Sequence, residues 1–183
     1  MDWAIIGGMY RSILFCLLIV SLSAAPTAQD QLYHDPGMQK IVQVAIVCKD
    51  IDASAKRWAN LLGVEVPKIV TTRPGKEVNV TYYGKPSNGR AKLAFFKMGQ
   101  VSLELIEPVG ENTSWKHVLD ANGEGVHHLG FQVVDLEKTA ETLQKLGMKE
   151  EHRGRYDSNN GTYVYFDSRK PLGTTVELLH SDK

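Results

Sequence analysis

Two stretches of the chain, 85 positions apart, repeat one design: Gln43-Val-Ala-Ile-Val-Cys-Lys-Asp50 and His128-Leu-Gly-Phe-Gln-Val-Val-Asp135. Each opens with a side chain able to ligate a metal, alternates as a strand does, and ends on an Asp placed to cap a helix. A helical period follows each Asp, through Ile51, Ala55, Trp58 and Leu62 in the first copy and Leu136, Ala140 and Leu143 in the second. Gly63 and Gly147 stand where those helices should stop. Each copy then closes on an apolar strand carrying one carboxylate, Ser-Leu-Glu104-Leu-Ile and Thr-Val-Glu177-Leu-Leu. The duplication therefore yields Gln43, Glu104, His128 and Glu177, and a candidate metal site between the copies.

Between helix and closing strand, each copy has room for further strands. Val78 to Tyr83, Lys92 to Phe96 and Gln100 to Ile106 are expected in the first half, with Tyr163 to Phe166 and Thr174 to Leu179 in the second. A charged strand between Met148 and Tyr156 completes the second set. The order strand, helix, three strands, twice over, predicts an α+β fold with helices on one sheet face and a curved cleft on the other. In the first strand Val44, Ile46 and Cys48 should carry the helix; Gln43 shares the other face with small Ala45, as His128 does with Gly130. Those small residues leave space for a bound molecule. The turn-rich Tyr83–Lys92 stretch makes the first half longer and is placed to overhang the cleft. A short helix containing Trp115-Lys-His-Val-Leu-Asp120 is expected in the linker between halves.

Residues 1–28 read as a secretory signal peptide: Arg11, then an apolar run from Ser12 to Val20, then the small-residue stretch ending at Ala28. That run is shorter than the roughly 20 residues a membrane-spanning helix needs. The expectation is an exported chain, periplasmic or extracellular, with no stable membrane insertion and, from Phe15 before Cys16, no lipid anchor. Residues 29–39 read as a polar arm and 40–183 as one domain, its modules about 40–108 and 125–180. The whole chain has 21 basic and 21 acidic residues, and the leader removes one of each sign. Such a balanced chain offers no basic field for nucleic acid. Cys48 is the one cysteine beyond the leader, so the domain must be held by its core rather than by an internal disulfide.

Each candidate has a plainer reading. Glu104 or Glu177 alone would be an outward charge on an alternating strand, and Gln43 alone is uninformative; recurrence at matched positions favours the site. His127 is expected on the face opposite His128, as a structural residue. His34, His117, His152 and His180 have no repeat partner and read as surface residues, and Arg90, Lys92 and Lys97 as solvated charges. Asn79, Asn112 and Asn160 head sequences of the glycosylation pattern, and Asn159-Asn160-Gly161 marks a turn.

Paired modules that begin with His or Gln at a strand head, reach Asp seven residues on and end in Glu-Leu resemble the vicinal oxygen chelate superfamily. That superfamily includes glyoxalase I, methylmalonyl-CoA epimerase and extradiol dioxygenases. The resemblance spans Lys40 to His180 and implies two tandem βαβββ modules forming a curved mixed sheet around one divalent metal. Its ligands would be Gln43, Glu104, His128 and Glu177. The ligand set is similar to eukaryotic-type glyoxalase I, while Gly123-Glu-Gly-Val-His-His-Leu-Gly is similar to methylmalonyl-CoA epimerase. The glutathione-binding positions of glyoxalase I do not carry over, since they fall on Val47 and near Pro108.

Two carboxylates and two neutral ligands balance a divalent charge and leave coordination positions for substrate oxygens. The resemblance implies zinc, nickel, cobalt, manganese or magnesium, and a lyase or isomerase that moves a proton beside a polarised carbonyl of a small-molecule substrate. Glu177 is then the base, with Glu104 as ligand and conjugate partner. A homodimer is compatible with this superfamily. The reading from a different class is a non-catalytic protein of the same fold that binds a metal or a small molecule.

Overall fold

In the computed structural model, residues 36–38 and 40–182 are described. The leader and most of the arm lie outside them, as does His34. The first copy starts with β1, Ile41–Val47, and α1, Ile51–Leu62. Asp50 caps α1 by accepting from the Ala53 amide, and Gly63 ends it at φ 67°, a left-handed conformation that costs glycine little. Short strands β2, Val70–Thr71, β3, Thr81–Tyr82, and β4, Lys85–Pro86, precede the long hairpin of β5, Arg90–Met98, and β6, Val101–Val109. Helix α2, Ser114–Asn122, links to the second copy. That copy runs β7, Gly125–Gln132; α3, Leu136–Lys145; β8, Lys149–Arg155; β9, Gly161–Asp167; the single turn α4, Arg169–Leu172; and β10, Thr175–Ser181.

All ten strands form one sheet, in the order β2-β5-β6-β1-β7-β10-β9-β8-β3-β4. The two copies meet at its centre, where β1 runs antiparallel to β7, and each of these strands is parallel to the closing strand of its own copy. The α+β architecture of paired modules stands as expected. On the outer face, Ile51, Ala55 and Ala59 of α1 pack on Phe96, Leu103 and Leu105. Leu136, Ala140 and Leu143 of α3 pack in the same way on Val164, Phe166 and Leu178. Burying each Leu- or Phe-sized side chain contributes about 1.5–3 kcal/mol, so the two helical layers hold the sheet from outside. On the inner face Trp115 and Val118 of α2 join Ala45, Val47, Ile106 and Tyr165. Among the described residues no helix is long and apolar enough to cross a membrane.

The first half departs from the expected strand plan. Val78 to Tyr83 does not add a strand to its own module: β2 takes that place beside β5. The chain then crosses to the far edge of the sheet, where β3 pairs with β8 and β4 with β3. The Tyr83 amide donates to the Glu151 carbonyl at 2.7 Å and the Arg155 amide to the Val78 carbonyl at 2.8 Å. The Arg73 amide reaches both Asp157 carboxylate oxygens at 3.0 and 3.1 Å. Residues 72–89 thus form a strap from one edge of the sheet to the other. Backbone hydrogen-bonding demand at an open edge explains the choice, since β8 would otherwise present unpaired groups.

Candidate functional site

Four adjacent strands at the centre of the sheet carry one candidate residue each: Glu104 on β6, Gln43 on β1, His128 on β7 and Glu177 on β10. Register arranges them in two rows. Ala45 pairs with Glu104 on one side and His128 on the other; Gly130 pairs with Gln43 and Glu177. The middle position of each row is therefore small, and the flanking side chains converge over it. Gly130 has no spare room: a β-carbon there would stand 2.9 Å from Gln43 Cβ and 2.9 Å from Glu177 Oε2. Gln43, Glu104 and Glu177 line a partly open cavity of about 370 Å³. Its walls are largely apolar and aromatic, including Leu93, Phe95, Trp115, Tyr163 and Tyr165, and the strap contributes Val78 and Val80.

The carboxylates are buried, Glu104 being 4% exposed and Glu177 3%, and His128 is fully buried. Gln43 Nε2 donates to Glu104 Oε2, so the amide oxygen of Gln43 is left to accept from, or to ligate, another partner. His128 Nε2 lies 2.9 Å from Glu177 Oε2 and 3.6 Å from Glu104 Oε2. Yet His128 Nε2 and Glu177 Oε2 are both without a hydrogen bond. Burial, and secondly the charge of Glu177, push the Glu104 carboxyl well above its ordinary range, against the pull of the Gln43 hydrogen bond. Burial, with lesser help from the same carboxylates, drives the Tyr165 and Tyr163 hydroxyls upward, so both keep their protons.

Among the described residues, no three His, Cys, Asp or Glu side chains stand ready-made as an ion cage. The four candidates rest against one another. Their chemistry nevertheless fits a divalent cation: the charge of Glu177 adds to the cost of ionising buried Glu104, and an unpaired imidazole nitrogen faces an unpaired carboxylate oxygen. A cation in contact with these atoms would satisfy both and relieve the carboxylate repulsion.

Several other residues stand elsewhere than the sequence implied. His127 is not on the opposite face: β7 carries an extra residue against β1, since Ala45 pairs with His128 and Ile46 with Val126. His127 Nδ1 consequently lies 2.9 Å from His128 Nδ1. His152 is 1% exposed rather than on the surface. A similar irregularity, between Glu150 and His152 of β8, turns it inward onto Ser114 Oγ at 3.0 Å, with Trp115, Tyr163 and Tyr165 around the ring. Burial lowers its pKa to about 3. His180 is half-buried, with Nδ1 3.3 Å from the Val133 carbonyl oxygen. His117 is exposed, as expected. Lys92 pairs with Glu107 at 2.7 Å and Arg90 donates to the Thr72 carbonyl at 2.8 Å. Trp115, Tyr163 and Tyr165 went unrecognised as cavity walls because alternation marks a strand face without showing what the opposite elements place over it.

Comparison with known proteins agrees with this fold. A 90-residue stretch is 32% identical to the uncharacterized protein YqjC of Bacillus subtilis (strain 168), covering 49% of this chain and 64% of that one, just under two thirds of its length. A stretch of 111 residues is 27% identical to the ethylmalonyl-CoA/methylmalonyl-CoA epimerase of Cereibacter sphaeroides, covering 60% of this chain and 72% of the relative. The fold is similar to methylmalonyl-CoA epimerase from Mycobacterium tuberculosis, with a TM-score of 0.57 at 18% identity over 80% of this chain and 90% of that one. A Streptomyces coelicolor methylmalonyl-CoA epimerase variant in complex with 2-nitronate-propionyl-CoA gives 0.55 at 23% identity, over 80% and 99%. Residues 42–166 match the sequence profile of the Glyoxalase/Bleomycin resistance protein/Dioxygenase superfamily, and the chain belongs to that family.

Proposed function

We propose that this protein is a divalent-metal-dependent isomerase of the epimerase type, which removes and returns a proton at a carbon beside a carbonyl. The observation that carries the reading is the convergence of Gln43, Glu104, His128 and Glu177 on one cavity floor, with His128 Nε2 and Glu177 Oε2 buried and unpaired. The name of the Cereibacter sphaeroides relative supports the epimerase type over the lyase type.

Gln43, Glu104, His128 and Glu177 would hold the cation, which when bound supplies Lewis-acid polarisation of a substrate carbonyl. Glu177 accepts the proton from the adjacent carbon. Glu104, tied to Gln43 Nε2, stands on the other side of the site and returns a proton. The apolar walls and the strap limit the access of bulk water to the reacting carbon. The leader, by the same proposal, directs the chain out of the cytosol.

The test is metal content of the purified protein, followed by solvent deuterium exchange into 2-hydroxy, 2-oxo and thioester compounds. Stoichiometric metal with exchange at the carbon next to the carbonyl is the expected result. Metal without exchange across the panel would support the non-catalytic binding protein instead.

A further inference from the structure

We infer that the cavity takes a compact substrate whose body, beyond the group held at the site floor, is apolar and uncharged, and that the Tyr163 hydroxyl donates a hydrogen bond to that body. The inference deepens the proposed function and rests on it only for the head group that meets the metal. A cavity of about 370 Å³ lies at the small end of the range of about 300–1,000 Å³ for small-molecule sites. Past Gln43, Glu104 and Glu177 its lining is mainly aliphatic and aromatic. Trp115, Tyr163 and Tyr165 brace one another there, with ring centroids 5.5, 6.0 and 6.3 Å apart. The apolar surface continues out to solvent, since Val70 and Phe95 line the cavity yet remain 39% and 42% exposed. An apolar body lying in the cavity would cover them.

The charges of the lining exclude an anionic body. Its two cations, Arg73 and Arg155, are already engaged. Arg155 is paired with Asp182, and its Nε donates to Asn159 Oδ1 at 3.1 Å. Arg73 Nε lies 3.4 Å from Glu77 Oε2. Asp157, which takes the Arg73 amide, adds a carboxylate to the lining. A phosphate carried by the substrate would have to break one of these pairs and face Asp157 as well.

Tyr163 supplies the polar contact. It pairs across the sheet with Gly154 of β8, where a β-carbon would collide with the hydroxyl. Burial, and then the charges of Glu177, Asp157 and Glu104, hold the proton on that hydroxyl. Among the described residues nothing accepts it. A donor held in an apolar cavity gains from a ligand atom that can accept.

Calorimetric titrations of the cobalt-loaded protein test each part. 3-Phenyllactate shares its hydroxy-acid head with lactate and adds a phenyl body, whose burial is expected to tighten binding about 10–100-fold. Methylmalonyl-CoA is expected to bind no more tightly than the N-acetylcysteamine thioester of the same acid, because its nucleotide finds no free cation. Of the ortho, meta and para methoxy derivatives of 3-phenyllactate, at least one is expected to bind about 3–10-fold more weakly to Tyr163→Phe, which keeps the ring and removes the donor, while 3-phenyllactate itself is bound as before. Equal binding of lactate and 3-phenyllactate overturns the apolar body. A gain of about tenfold from the nucleotide overturns its neutrality, and a Tyr163→Phe protein that matches the parent on every isomer overturns the donor. In a parent that binds no metal, the methoxybenzyl alcohols, which lack the chelating head, decide by ligand-observed NMR. Weaker binding to Tyr163→Phe then keeps the cavity inference while the metal reading falls, and no difference removes both.

Discussion

At the scale of single residues, Glu104 and Glu177 are near-equivalent in position and unequal in surroundings. Glu104 takes a hydrogen bond from Gln43, whereas Glu177 Oε2 takes none, so Glu104 is held in one orientation and Glu177 is the freer of the two to move. Glu177→Gln and Glu104→Gln are each expected to lower turnover at least about 100-fold, as loss of a general acid or base does. Metal affinity should fall further in Glu104→Gln, and unchanged turnover in either variant would remove that residue from the mechanism. His152 gives a separate, pH-dependent prediction. Its native pKa of about 3 lies below the ordinary value of 6.5, so the unfolded chain binds more protons between those values. Its contribution is fully present above pH 6.5 and is lost as pH falls towards 3, by about 2 kcal/mol at pH 5. Denaturant titrations at pH 7 and pH 5 should show a smaller loss in His152→Phe than in the parent. Neither burial nor pKa was legible at this position, because a lone histidine on a charged strand carries no periodic sign of a bulge.

At the scale of elements, the two central rows depend on what their middle residues lack. Ala45 and Gly130 were readable as small, since each sits two positions from a candidate site residue, Gln43 or His128, on an alternating strand. That Gly130 admits no β-carbon follows from register, which brings Gln43 and Glu177 over it from both sides. Gly130→Ala is expected to destabilise the fold by about 1–3 kcal/mol, the usual cost of overpacking. It should also weaken metal binding, since either Gln43 or Glu177 must move. Thermal unfolding and metal titration check the two effects, and unchanged binding would mean that Gln43 and Glu177 need not hold their positions over Gly130 for it. Helices α1 and α3 were legible almost to the residue because an Asp cap, a helical period and a terminal glycine agree. Strands β2 to β4 were not, since two-residue strands are shorter than any alternation that could reveal them.

At the scale of the whole molecule, the strap covers part of the open curved sheet and turns it into a cleft. The Asp157 carboxylate, which takes the Arg73 amide, anchors it near its start. Asp157→Ala should speed amide exchange at Arg73 and through residues 75–87 while leaving the central strands β6, β1, β7 and β10 protected. Equal exchange throughout would show that β3–β8 pairing alone holds the strap. The surplus length of the first half pointed to a loop near the cleft, yet not to its destination, because edge pairing is chosen by which strand lies open in space.

Duplication, caps and alternation were enough to establish the paired modules, their helical faces and the four converging side chains, since each is a local pattern with a short period. The inward turn of His127 and His152, the aromatic walls and the path of the strap arise from bulges, register and an unfilled sheet edge. Those are relations between segments far apart in the chain, and they acquire energy only when the sheet has formed.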